Sequence, residues 1–156
     1  MESMAQMKEM MTSSIFEVFE KMFFIFLEPS HADASEYELE SSICFGGLNR
    51  GEVKILFSMP LSKRMVQNML GMDEARITDQ DIEDCAKEAV NMMCGNFLSK
   101  LDAGGEIFDM TIPTFGRFQD VRMDENTHAC RLDFVSDDGG VGASLQLFVK
   151  QRALDQ

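Results

Sequence analysis

A row of mostly polar residues recurs at spacings of three and four along residues 84–99, which begin with the segment DCAKEAVNMMCGNF. An α-helix advances about 100° per residue, so ideal geometry places this row within about 80° on one side of a helix. Carboxylates accept hydrogen bonds and pair with cations, whereas a carboxamide both accepts and donates without carrying charge. The row therefore offers groups that can bind and orient another molecule. It is called the polar stripe below and consists of Asp84, Glu88, Asn91, Gly95 and Ser99.

The residue types in the polar stripe are unusual for an exposed helix surface, which favours Glu, Lys, Gln, Arg and Ala. Asparagine and glycine are poorer helix formers. Gly95 lies one turn beyond Asn91 and removes a side chain beside it, which leaves a notch where another protein's backbone could approach. Two plainer interpretations stay open. Acidic residues on a helix are commonly just solvated, and Asp84 could serve the helix itself by opposing its dipole.

The helix that carries the polar stripe is predicted to begin at Thr78, which can form a capping box with Asp81. It runs to about Leu101. The side opposite the polar stripe is apolar enough to face a core. That predicted core face consists of Ile82, Ala86, Ala89, Val90, Met93, Phe97 and Leu101.

Two further helices are predicted earlier in the chain. Apolar residues at helical spacing indicate a first helix from about Ala5 to Leu27, ended by Pro29, with its second half, including Phe26, deeply buried. A second, short helix ends at Gly71. The apolar residues of this second helix share one face, which consists of Leu61, Met65, Val66, Met69 and Leu70.

Five strands complete the predicted elements. A hairpin joins Tyr37–Phe45 to Val53–Met59, and three later strands cover Ile107–Pro113, His128–Val135 and Val141–Val149. The order is α-β-β-α-α-β-β-β. Because consecutive strands with short turns pair antiparallel, the sequence predicts an α+β fold with a largely antiparallel sheet packed against helices.

The length and charge of the chain limit its possible partners. Residues 1–156 suit one domain. A net charge of −13 argues against nucleic acid, because no basic surface is available to displace counterions from phosphates. The same charge disfavours an anionic membrane surface. The apolar run Met22–Leu27 is too short to span a bilayer, and no targeting segment is recognisable, so we expect a cytoplasmic protein.

The four cysteines are expected to be buried free thiols. None of Cys44, Cys85, Cys94 and Cys130 forms a Cys-x-x-Cys pair, and the two histidines are far apart in the sequence. No metal site is therefore predicted, and no catalytic triad is recognisable.

The motif Asp84-x-x-x-Glu88-x-x-Asn91 resembles the signature of the CheC/CheX/FliY family of chemotaxis phosphatases. In that family a proline follows some two dozen residues later, where this chain has Pro113. The pair Gly95-Asn96 also looks like the members of the CheX type. The element order and the length of the domain match over most of the chain.

The resemblance implies that the protein removes the phosphoryl group from an aspartyl phosphate on a CheY-type receiver domain. The family's catalytic glutamate and asparagine correspond to Glu88 and Asn91. Asp84 and Gly95 would contribute to partner binding. The receiver would supply its own Mg²⁺ and lysine, so this chain would need no cofactor and no metal of its own.

A single copy of the motif favours the CheX-type arrangement, which implies a homodimer with one site per subunit. The strand Val141–Val149 is the candidate for the dimer interface, as an exposed sheet edge with unpaired backbone groups. Two alternatives to a phosphatase stay open. One is an adaptor that binds a receiver or flagellar-switch protein without hydrolysis, and the other is a purely structural domain.

Overall fold

The protein is described from a computed structural model, which covers residues 3–30, 37–47, 49–101, 107–119 and 127–148. The described residues form three α-helices and one seven-stranded sheet. The helices are α1 Met4–Phe23, α2 Met59–Leu70 and α3 Asp79–Leu101, with a 3-10 turn at Glu74–Arg76. The strands are β1 Glu28–Pro29, β2 Leu39–Gly46, β3 Arg50–Phe57, β4 Asp109–Met110, β5 Thr114–Arg117, β6 Thr127–Ser136 and β7 Gly139–Phe148.

The α+β class and the predicted element order are confirmed. All strand pairs are antiparallel, and the sheet runs in the order β1-β6-β7-β3-β2-β4, with β5 also paired to β2. Side chains alternate along the strands, so one face of the sheet carries Val53, Ile55 and Leu145 into the core. The three helices cover this face, and α3 packs against α1, α2, β2 and β3.

The sheet topology contradicts the predicted dimer edge. The strand β7 lies between β6 and β3 and is paired along its length on both sides. Its backbone groups form hydrogen bonds in these two ladders, so the described part of the predicted edge, Val141–Phe148, is not exposed. Strand order depends on contacts between distant parts of the chain, which the apolar alternation of a single strand does not encode.

The first helix ends earlier than predicted. The structure ends α1 at Phe23, where Phe24 adopts a left-handed conformation with a φ of 53°. Phe26 lies outside the helix and is 71% exposed, so the prediction that it is buried was wrong. The side-chain amide of Asn68 donates to the Phe23 carbonyl oxygen at 2.8 Å, which satisfies one free group at this helix end. The chain then pairs with β6 through Pro29.

The predicted strand Ile107–Pro113 is replaced by two shorter strands, β4 and β5, which pair with opposite ends of β2. Pro113 lies between them. Proline has no backbone N–H to donate to a ladder, so it is a natural point of interruption. The hairpin of β2 and β3 is confirmed, with partners running from Leu39 and Phe57 to Phe45 and Gly51.

Candidate functional site

The start of α3 fixes the face on which the polar stripe lies. The backbone N–H of Asp81 donates to Thr78 Oγ1 at 3.1 Å, and the backbone N–H of Thr78 donates to Asp81 Oδ2 at 3.0 Å. These reciprocal hydrogen bonds satisfy two donors that the first turn of a helix leaves free. The predicted capping box is therefore confirmed.

The structure places the polar stripe on the side of α3 that faces away from the sheet. Asp84 and Glu88 are exposed, whereas Asn91 is half-buried. Asn91 is therefore less exposed than a residue of a solvated helix surface is expected to be. The predicted core face is confirmed in full, and it consists of Ile82, Ala86, Ala89, Val90, Met93, Phe97 and Leu101.

The two central side chains of the polar stripe have no hydrogen-bond partner among the described residues. Asp84 Oδ1 accepts a hydrogen bond from Gln80 Nε2 at 2.8 Å. The neighbouring cation, Lys87, lies 3.0 Å from a carboxylate oxygen of Glu83 on the same helix. Within the part of the chain that the structure describes, nothing hydrogen-bonds the side chains of Glu88 and Asn91. Their donor and acceptor atoms are therefore available to another molecule.

Gly95 leaves open space beside Asn91. A Cβ atom added at Gly95 would meet no atom within 4 Å beyond the neighbouring helix backbone. The residue is helical and does not have a positive φ, which is the usual reason for a glycine. The hydroxyl of Ser99 donates to the Gly95 carbonyl oxygen at 2.9 Å, as serine commonly does within a helix. Nothing in the described residues requires glycine at this position.

Negative charge is concentrated beside the first half of α3. Burial, followed by the nearby carboxylates of Asp81, Asp84 and Glu88, raises the pKa of the Cys85 thiol to about 12. Each of these carboxylates disfavours a thiolate, because a second negative charge close by is repelled. A molecule that docks here therefore meets an acidic surface.

A depression of about 360 Å³ adjoins the polar stripe. Its acidic side is formed by Asp81, Asp84 and Glu88, and its apolar side by Met22, Met69, Leu70 and Cys85. Met69 is 40% exposed and Leu70 is 50% exposed, although both belong to the apolar face predicted for α2. Helix α2 ends at Leu70, and Gly71 caps it in a left-handed conformation with a φ of 63°. Helical spacing predicts the direction in which these side chains lie, but not how far the core extends along the helix.

A larger cleft of about 700 Å³ lies near the start of α3. Tyr37, Glu38, Glu83 and Arg117 are among the residues that line it, and no member of the polar stripe does so. Within the described ranges, no three His, Cys, Asp or Glu side chains come together as a metal site would require. No helix in the same ranges is long and apolar enough to cross a membrane.

The cysteines behave largely as predicted. Cys85, Cys94 and Cys130 are buried free thiols, and burial raises the pKa of each. Cys44 differs because it is only half-buried, on the sheet face away from the helices. Burial, followed by the neighbouring Glu52 carboxylate, raises its pKa.

Comparison with known proteins gives one matching family and a set of similar structures. The family model described as "Chemotaxis phosphatase CheX" matches residues 41–134, which is more than half of the chain. No curated protein sequence shows significant similarity. The chemotaxis protein CheX from Vibrio vulnificus is 23% identical, with a TM-score of 0.80 over 94% of this chain and 99% of that chain.

Two other solved structures extend this likeness. A CheC-like superfamily protein from Shewanella sp. PV-4 is 19% identical, with a TM-score of 0.79 over 94% of this chain and 100% of that chain. A CheX chain from Borrelia burgdorferi, described as a CheX–CheY–BeF3–Mg²⁺ complex, is 17% identical, with a TM-score of 0.69 over 91% of this chain and 97% of that chain. At these identities the structures establish a shared fold.

Proposed function

Because the chain belongs to the CheX family of chemotaxis phosphatases, we propose that it accelerates hydrolysis of the aspartyl phosphate on a CheY-type receiver domain. Asn91 orients the attacking water, and Glu88 pairs with the receiver's lysine. Asp84 and Gly95 contribute to the contact with the receiver.

One observation carries the proposal. Glu88 and Asn91 lie on the same side of α3 without a hydrogen-bond partner among the described residues, and Gly95 leaves open space one turn beyond Asn91. A solvated helix surface would be expected to carry better helix formers than asparagine and glycine. The arrangement suits a polar group that is inserted into a site on another protein.

The role of Asn91 follows from what phosphoryl transfer requires. An acyl phosphate is already activated, so catalysis consists mainly of holding a water in line with the phosphorus and of stabilising charge. The carboxamide oxygen of Asn91 can accept a hydrogen bond from that water, and its NH₂ group can donate to a phosphoryl oxygen. An amide stays uncharged throughout, so it does not repel the phosphoryl group as a carboxylate would.

The role of Glu88 is to fix the position of the receiver. Its exposed carboxylate can form a charge-assisted hydrogen bond with a lysine of the partner. Mg²⁺ on the receiver would neutralise charge on the phosphoryl oxygens. The solved complex of the Borrelia CheX with CheY, BeF3 and Mg²⁺ supports this choice of partner.

A homodimer with one site per subunit is part of the proposal. The edge that suits it is the outer side of β6 rather than β7. On that side the described partner of β6 is β1, which reaches only Val135 and Phe134, with one more hydrogen bond from Ser30 to Asp133. A sheet edge left without a partner favours pairing with a second chain.

A dephosphorylation assay with phosphorylated receiver domains, called the phosphoreceiver assay below, tests the proposed function. Receiver domains from the same organism are phosphorylated on their active-site aspartate. The rate at which they lose the phosphoryl group is then measured with and without this protein. The proposal predicts faster loss for at least one receiver in the presence of Mg²⁺. Binding without acceleration would instead identify an adaptor, and no acceleration with any receiver would contradict the phosphatase.

A further inference from the structure

The apolar side of the 360 Å³ depression is a surface that the proposed chemistry does not use. Met69 and Leu70 are exposed at the end of α2, and the Cys85 thiol lies 3.5 Å from the Met69 sulfur. Scattered exposed apolar side chains are normal in soluble proteins. Here Met69 and Leu70 line the same depression, called the hollow below, together with Met22.

This hollow is continuous with the polar stripe. Glu88 lines the depression and also belongs to the stripe. Met92, which is 39% exposed, follows Glu88 by four residues and therefore lies one turn further along the same side of α3. A partner whose active site encloses Glu88 and Asn91 must therefore also contact this depression.

The charge around the depression indicates the chemical character of the group that binds there. Three carboxylates, those of Asp81, Asp84 and Glu88, line it, and no described Lys or Arg does so. A partner that suits this lining has an apolar side chain for the depression and a neighbouring cation to offset the carboxylates at its rim. A net charge of −13 gives no general attraction toward an acidic receiver, so docking depends on short-range contacts of this kind.

We propose that this depression receives an apolar side chain of the receiver domain that is flanked by a basic residue, and that it selects which receivers the protein accepts. The inference rests on the proposed function, since it takes the receiver as the partner. Methionine side chains are flexible and adapt to differently shaped partners. The hollow therefore tolerates several apolar residues in the receiver but not a polar or acidic one.

The test measures binding separately from catalysis. Leu70→Ser removes an exposed apolar side chain, and Phe148→Ser is the matched control, because Phe148 is 43% exposed on the sheet face away from the helices. The probe is the cognate receiver loaded with beryllofluoride, which stands in for the phosphoryl group. Truncation of an interface anchor commonly weakens binding by about tenfold. We expect Leu70→Ser to raise the Kd for this probe about tenfold. The KM should rise by a similar factor, and kcat should stay at the wild-type value.

Further variants separate docking from folding and from charge. Leu70→Met should keep the Kd near the wild-type value, and the melting temperature of Leu70→Ser should fall by no more than about 2 °C, because serine is only a slightly poorer helix former than leucine. Asp84→Asn should raise the Kd more at about 0.05 M salt than at about 0.5 M, because salt screens an exposed ion pair. An unchanged Kd in a folded Leu70→Ser variant, or an equal rise with Phe148→Ser, overturns the docking proposal.

The outcomes also distinguish this inference from the proposed function. If wild-type protein binds the loaded receiver without hydrolysing phosphate, and Leu70→Ser weakens that binding, the docking surface stands and the phosphatase does not. If wild-type protein hydrolyses phosphate and Leu70→Ser has normal Kd and KM, only the docking surface fails.

Discussion

Glu88 and Asn91 lie three residues apart on the outward side of α3, and no described residue hydrogen-bonds either side chain. Ideal helical geometry separates the two positions by about 4.5 Å along the axis and about 60° around it. One side chain can therefore reach a cation of the partner while the other reaches the reacting group beside it. The helix supplies a fixed spacing, and the receiver supplies the rest of the site.

Substitution of Glu88 tests its proposed role in docking the receiver. Glu88→Gln keeps the shape of the side chain and removes its charge, so it should raise the Kd for a beryllofluoride-loaded receiver by roughly tenfold, as expected for loss of a charge-assisted hydrogen bond. Glu88→Ala should weaken turnover as well. The melting temperature should hardly change, since the residue is exposed. Normal binding by Glu88→Gln in calorimetry would remove Glu88 from the interface.

Gly95→Ala should separate stability from activity. The structure has open space for the new methyl group, so the variant should be more stable by about 1 kcal/mol, which is the helix-propensity difference between glycine and alanine. If the receiver's backbone approaches through the notch, turnover should fall even though stability rises. Urea unfolding and the phosphoreceiver assay measure the two effects.

A control for Gly95→Ala is Ser13→Ala, which also raises helix propensity but at an exposed position of α1. It should stabilise the protein by roughly 0.5 kcal/mol and leave turnover unchanged. Full activity in Gly95→Ala would mean that the notch has no role in docking.

The buried thiols should react slowly with alkylating reagents. The pKa of Cys85 and that of Cys94 are raised to about 12, so both stay protonated at pH 8, and the thiolate is the reactive form. Iodoacetamide should label Cys44 first, because it is only half-buried. All four thiols should react in concentrated urea. Labelling of native Cys85 as fast as in urea would contradict its burial.

The raised thiol pKa values also give the protein a pH dependence of stability. Unfolding restores a thiol pKa of about 9, so between pH 9 and about 12 the unfolded state loses protons that the folded state keeps. The thiol contribution should therefore lower the free energy of unfolding as pH rises above 9. Urea unfolding at pH 8 and pH 10 measures this change, and a rise in stability over that interval would contradict it.

Sedimentation analysis tests the proposed homodimer. The expected species has twice the mass of one chain at micromolar concentration. Peptide amides in β6 should exchange more slowly with deuterium when the protein is concentrated, because pairing at the sheet edge protects them. A single-chain mass at every concentration would contradict the dimer.

The parts of this structure that the sequence predicted are those encoded locally. The capping box of Thr78 and Asp81 and the apolar periodicity that follows define α3, so the outward direction of Glu88 could be read without a structure. The β2–β3 hairpin is equally local, because alternation and a glycine-rich turn specify it.

The parts that were missed depend on distant contacts. The position of β7 inside the sheet follows from its pairing with both β3 and β6. The early end of α1 involves Asn68, which lies far along the chain from Phe23. The exposure of Leu70 depends on how far the core reaches past α2. None of these follows from the spacing of apolar residues within one element.

The turnover number of Asn91→Ala tests the central claim most directly. With a saturating phosphorylated receiver, loss of one preorganised polar group should lower kcat by roughly 10²-fold. The Kd for the beryllofluoride-loaded receiver should stay close to the wild-type value, because Glu88 still fixes the position of the partner. A folded Asn91→Ala variant that dephosphorylates the receiver at the wild-type rate would contradict the assignment of Asn91 as the residue that orients water.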